Sequence, residues 1–289
     1  MRARRWEVSD VRSIVQHWKL AYSTLAFPGR QLSDVVAMGK AMGYDGIELR
    51  LIDGELIDPS MSSAARDRVK RIVGDVPVVA VDSSIRITED DPIPAIASFL
   101  ELAHAWEAPV VRVFGGDLPE DPSERQRALE HAARVLESAA AHAERLGVAV
   151  GLETHDSFAG SSQVAEVLAM VPSPWIGAVW DSHHPHRMGE TPEEIYANIG
   201  PRTKLAQVKD ARRSSEQPSG WQLVPLGEGE VPVRDMLSVL AHHGYAGVIS
   251  VEWEKRWHPE IDEPEIALPQ HLELLKRWMA ELAGPGGAS

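Results

Sequence analysis

Eight short β-rich runs alternating with helical segments, no glycine-rich phosphate turn after the first run, and polar residues gathered where the later runs end predict an α/β fold. The expected architecture is a single domain, a closed (β/α)8 barrel, because barrel enzymes collect their chemistry at the C-terminal strand ends. An open doubly wound sheet has the same alternation of elements, but its G-x-G-x-x-G turn is missing here.

Residues 1–18 read as an N-terminal extension, in part a capping helix, residues 19–283 as the barrel, and GPGGAS (284–289) as a flexible tail. The eight runs are KLAYSTLAF (19–27), DGIELRL (45–51), VPVVAVDS (76–83), PVVRVFG (109–115), VAVGLE (148–153), IGAVWD (176–181), KLAQVK (204–209) and GVISVEW (247–253). Their apolar, β-branched character is that of parallel strands buried on both faces. The clearest helix spans 123–146, where Ala, Leu and Val recur at three- and four-residue intervals before Gly147 stops it. Another starts at Thr191, whose TPEE sequence sets a capping hydroxyl ahead of a proline and two carboxylates. Gly43 and Gly244, each followed by tyrosine and a β-rich run, mark turns from helix to strand.

A chain of 289 residues can bury the core of one large domain. Its 29 basic and 43 acidic residues leave a formal charge of −14, which repels phosphodiester backbones and anionic lipid and predicts no nucleic-acid or membrane partner. With no cysteine, thiolate nucleophiles and thiolate-held zinc are excluded, so any metal must be held by oxygen or imidazole. The opening residues lack a signal-peptide core, and no stretch approaches the roughly 18 apolar residues of a membrane span. The expected location is therefore cytoplasmic.

Glu153, Asp181, Gln207 and Glu252 end or nearly end the last four runs, and in a closed barrel those ends surround one opening. Carboxylates meeting there at low dielectric repel one another, and a divalent cation is the natural way to hold them together. Any one of them alone has a plainer role, pairing with a lysine or capping a helix. Within WDSHHPHRMGE (180–190), His184 is assigned to substrate contact or proton handling, with His183 and His186 as bystanders. His155, two residues beyond Glu153, has similar standing. Glu48 on the second run and Arg112 on the fourth are candidates for bonds to substrate hydroxyls, and equally for an ion pair inside the barrel. Trp180 and Trp253 face the helices by strand alternation and belong to the core.

The segments ETH (153–155), WDSHHP (180–185), GETPEE (189–194), QVKDAR (207–212), LGEG (226–229) and GYAGVISVEWE (244–254), in this order and spacing, resemble the xylose isomerase-like TIM barrel proteins. These are often called sugar phosphate isomerases/epimerases, and the resemblance runs from about Lys19 to the end of the chain. It implies that Glu153, Asp181, Gln207 and Glu252 are the metal-ligand positions, that His184 binds substrate, and that Arg213, or Arg212 beside it, anchors substrate. The family usually has histidine where this chain has Gln207. An all-oxygen set suits Mn2+ or Mg2+ better than zinc.

The resemblance implies an isomerase/epimerase that acts on a sugar or related polyhydroxy carbonyl compound through an enediolate, with Glu153 and Glu252 as acid/base pair. Three other readings stay open beside it. A dehydratase of a cyclic ketopolyol such as an inosose needs the same metal and base. A DNA-repair endonuclease shares the barrel, but the acidic balance and Gln207 speak against it. A non-catalytic sugar-binding or partner protein would keep the fold with an idle site. The expected partner is a small sugar or polyol, and a homo-oligomer is implied by analogy only.

Overall fold

A computed structural model of the chain describes residues 8–284. Residues 1–7 of the expected extension, and all of the expected tail except Gly284, lie outside the described residues. Eight strands form one closed barrel: β1 (Lys19–Ser23), β2 (Gly46–Leu49), β3 (Val78–Arg86), β4 (Val110–Phe114), β5 (Ala149–Glu153), β6 (Ile176–Asp181), β7 (Thr203–Val208) and β8 (Val248–Val251). Every strand is parallel to the next, and β8 pairs back onto β1, with Tyr22 opposite Val251. Closure removes both sheet edges and disposes of the open-sheet alternative.

The described helices are α1 (Val8–His17), α2 (Leu32–Met42), α3 (Ser63–Val73), α4 (Ile93–Ala105), α5 (Pro122–Leu146), α6 (Ser161–Ala169), α7 (His183–Arg187), α8 (Pro192–Ile199), α9 (Val233–His242) and α10 (Pro264–Leu282). Local chemistry sets their ends. Asp121 accepts the N–H groups of Ser123 and Glu124, both at 3.0 Å, to open α5, and Gly147 closes it at φ 68°. Thr191 and Glu194 form the capping box that opens α8. Helix α1 packs on α9 and α10, and the Trp18 indole after it donates to the carbonyl of Tyr245 at 2.6 Å, so this segment lies across the N-terminal end of the barrel.

The first run ends earlier than its apolar pattern suggests, because β1 gives way to a 3-10 turn over Thr24–Ala26. The Ser23 hydroxyl accepts the N–H of Leu25 at 3.3 Å, and the Thr24 hydroxyl accepts those of Arg50 and Leu51 at 2.8 and 2.7 Å. Side-chain bonds to backbone have replaced the ladder there. Run three goes the other way, and β3 continues to Arg86.

Side-chain alternation divides the barrel into two levels. Ala80, Val110, Val179 and Leu205 form a separate buried apolar cluster, with Val248 against it. Two residues further along the same strands stand Asp82, Arg112, Asp181, Gln207 and Ser250, all buried. An apolar plug therefore floors a polar layer at the C-terminal strand ends. Trp180 and Trp253 join the other core, between strands and helices, and the Trp253 ring meets His271 of α10 edge-on at 5.1 Å.

Candidate metal and active site

Three carboxylates from separate strands meet above the plug. One oxygen from each of Glu153, Asp181 and Glu252 lies within 4.8 Å of the other two, and all three residues are buried. Asp181 is held by its own chain turn: Oδ1 accepts the N–H groups of His183 and His184 at 2.9 and 3.0 Å as α7 begins, which leaves Oδ2 for the barrel axis. Burial pushes the Glu153 carboxyl up to about 8, although Arg112 pulls the other way. The Arg112 Nε lies 3.0 Å from Glu153 Oε2, at an angle that misses hydrogen-bond geometry.

Lys209 and Asp82 are buried charges of this layer that the sequence pattern alone does not single out; Lys209 stands closest to the three carboxylates. It follows Gln207 by two residues and so shares its face, a signal that alternation alone carries. Its buried ammonium stands 2.7 Å from Glu252 Oε2 and 3.2 Å from Asp181 Oδ2, and it also pairs with Glu254. Burial disfavours a charge here, but Asp181, Glu252 and Glu254 outweigh it and hold the ammonium protonated well above the ordinary lysine range. His184, whose Nε2 lies 3.4 Å from that ammonium, is pushed well below the usual imidazole range by burial and then by the lysine charge.

Glu48 and Asp82 complete the polar layer on the β2–β3 side, and they form a second close group with Glu252. Gln207 reaches across to this side: its amide donates to Glu48 Oε1 at 2.6 Å, while its own carbonyl oxygen is buried without a hydrogen-bond partner. Burial, and next the charge of Asp82, raise the Glu48 carboxyl well above the carboxylate range. Arg112 sits between the two groups, 3.5 Å from Asp82 Oδ2 and with its guanidinium 4.0 Å from the centre of the Phe114 ring. It makes the ion pairs that were one of its two expected roles.

A chain of rings lines one wall of the mouth. Phe114, His155, His184 and His183 follow one another at centroid spacings of 4.6, 4.5 and 5.5 Å, and Trp221 packs edge-on against both His183 and His186. His155 is thereby brought beside His184, and its Nδ1 meets Asp156 at 2.8 Å. Burial lowers the His155 imidazole, but the bond to Asp156 and the charge of Glu153 reverse the sign. Arg213 is not brought into the carboxylate group. It lies on the hairpin Asp210–Arg213/Trp221–Val224, with its side chain 76% exposed over the Trp221 ring, and Arg212 bonds to Gln222 on the same hairpin.

The remaining motif residues build the scaffold. Asp210 accepts four backbone N–H groups, from Ala211, Gly227, Gly229 and Val231 at 2.8 to 3.1 Å, which folds the LGEG loop around its carboxylate. A Cβ on Gly229 would stand 2.1 Å from Asp210 Oδ1, so that position excludes a side chain. Glu190 accepts the Ser161 N–H at the start of α6.

The family described as Xylose isomerase-like TIM barrel matches residues 36–278. The chain belongs to this family. Among its relatives, fructoselysine 3-epimerase of Escherichia coli O157:H7 is 25% identical over 145 residues, 48% of this chain and 50% of that protein. The chain thus matches about half the length of that curated relative. Among solved structures, the IolI protein with a bound zinc atom superposes with a TM-score of 0.74 at 18% identity, covering 92% of this chain and 99% of that one. The probable 3-DHS dehydratase AsbF from Bacillus anthracis gives 0.69 at 19% identity, covering 89% and 98%. These two likenesses show the shared barrel.

For this xylose isomerase-like barrel, the donor set suits a hard divalent cation. The Gln207 carbonyl oxygen is buried with no hydrogen bond, Asp181 Oδ2 accepts none and has the Lys209 ammonium 3.2 Å away, and register sets these two residues side by side on β6 and β7. Neutral and anionic oxygens are the ligands that Mg2+ and Mn2+ prefer. No helix among the described residues is long and apolar enough to cross a membrane.

Proposed function

We propose that the protein is a divalent-metal-dependent isomerase/epimerase of a sugar or related polyhydroxy carbonyl compound. The observation that carries this reading is the meeting of Glu153, Asp181 and Glu252 within 4.8 Å at the C-terminal mouth of the barrel. Glu153, Asp181, Glu252 and the Gln207 carbonyl would hold one Mn2+ or Mg2+, which supplies Lewis-acid polarisation of a carbonyl and its neighbouring hydroxyl.

The chain's own groups do the proton work. Glu153 ends β5 and Glu252 follows β8, so the two carboxylates approach a bound substrate from well-separated strands. One removes the proton on the carbon between carbonyl and hydroxyl, and the other returns a proton to the opposite face, or to the adjacent carbon for isomerisation. His184, neutral by burial, and His155 beside it face substrate hydroxyls from the ring wall. The apolar plug closes the barrel below and keeps bulk water from the enediolate.

The test is twofold. Calorimetry with Mn2+ should give one ion per chain, and binding should be lost in Asp181→Asn. The loaded protein is then incubated in D2O with a panel of ketoses and cyclic ketopolyols. Deuterium entering the carbon next to the carbonyl, with mass otherwise unchanged, is the expected result. Loss of one water would instead favour the dehydratase, and failure to bind Mn2+ would remove the basis of the proposal.

A further inference from the structure

The mouth of the barrel holds a cation belonging to the chain itself. The Lys209 ammonium is 1% exposed and lies within 2.7 and 3.2 Å of Glu252 and Asp181, two of the three carboxylates that meet there. Five buried carboxyl groups, Glu48, Asp82, Glu153, Asp181 and Glu252, share this layer, and among the described residues the lysine and arginine cations buried with them are Arg50, Arg112 and Lys209. Arg112 is committed to Glu153 and Asp82, and its guanidinium is packed on Phe114, so it cannot swing to relieve the others. Lys209 differs in having somewhere else to go. Its third partner, Glu254, lies on the outer side and is 17% exposed, and the lysine stem is flexible.

We infer that Lys209 and the divalent ion alternate at the Asp181–Glu252 pair, so that metal binding is an exchange of one cation for another. This rests on the metal reading above and adds a residue that sets its affinity. The physical argument is one of competing states. Asp181 Oδ2 and Glu252 Oε2 cannot face a divalent ion at about 2.0 to 2.6 Å and also keep an ammonium at hydrogen-bond distance on the same lobes. A carboxylate pair already neutralised from within binds an external ion with an affinity reduced by the fraction of time the lysine is away. The same ammonium keeps the buried acids compensated when no ion is bound, so the barrel does not depend on metal to fold. Glu254, outside the proposed ligand set, is the station to which the ammonium withdraws.

Two measurements test this. The first is Mn2+ titration by calorimetry of the wild type and Lys209→Met, which keeps the length of the stem and removes the charge. The variant should bind Mn2+ more tightly by roughly tenfold or more, and its melting temperature in EDTA should fall and be recovered by Mn2+. The second needs no variant: crystals of the wild type grown with EDTA and with Mn2+ should differ at Lys209, the ammonium touching Asp181 and Glu252 in the first and only Glu254 in the second. A lysine that keeps both contacts beside a bound ion overturns the exchange, as does a Lys209→Met variant that binds no tighter, and in either case the metal reading survives. If neither protein binds Mn2+, both ideas fall together. Binding by the variant alone would support exchange while rejecting metal dependence of the natural chain.

Discussion

Replacing Glu153 by glutamine separates the stability of this site from its function. The carboxyl is 1% exposed, and burial raises it from an ordinary value of 4.5 to about 8. A raised carboxyl means that the folded chain holds this proton more firmly than the unfolded chain does. Stability is therefore complete below pH 4.5 and is lost as pH rises towards 8, after which no more is lost. At about 1.4 kcal/mol for each pH interval, the cost is about 3 kcal/mol at pH 7 and about 5 kcal/mol above pH 8. Glutamine has the same shape and no charge to bury. In EDTA, Glu153→Gln should thus be more stable than wild type by about 3 kcal/mol at pH 7 and should match it near pH 4.5. Saturating Mn2+ should shrink or reverse the difference, because only the wild type keeps the full set of proposed ligands and would gain the full binding free energy. Turnover of any substrate found should drop by about 10²-fold or more. Urea denaturation at pH 4.5, 7 and 8.5, with EDTA and with Mn2+, reads all of these stability effects. A variant less stable than wild type at pH 7 in EDTA would refute the claim that burial strains this carboxylate.

Three further outcomes can be measured in the same way. Asp210→Ala leaves four backbone N–H groups without their acceptor and should cost about 3 kcal/mol or more in urea unfolding; a loss below about 1 kcal/mol would show that the LGEG loop holds its shape unaided. Burial lowers the His271 imidazole from 6.5 to about 4, so its stabilising neutral form is fully present above pH 6.5 and its contribution is lost as pH falls towards 4. Wild type should therefore lose about 3 kcal/mol more than His271→Gln between pH 7.5 and 4, and parallel pH profiles would contradict this. Thr191→Ala removes half of the capping box that opens α8 and should cost about 1 kcal/mol, visible as a lower urea midpoint with an unchanged slope.

The barrel was legible because each of its elements carries its own signal. Strands buried on both faces are continuous β-rich runs, α5 carries its apolar period up to the stop at Gly147, and the TPEE segment writes out its own cap. Three acids were also legible as strand-end residues, since a closed barrel turns position along a strand into position around one mouth. The sequence read by itself thus determined the fold class, the run of strands and helices, and the short roster from which the site is drawn. Only the tertiary structure decided who touches whom within that roster, and it alone added Lys209 to it. Gln207 turns to Glu48, Lys209 stands between Asp181 and Glu252, and Arg213 remains on an exposed hairpin. The physical reason is range. Strand and helix patterns follow from bonds and burial within a few residues, whereas Gln207 meets Glu48 across 159 positions of chain, and the rotamers and charges of the whole ring settle that pairing together.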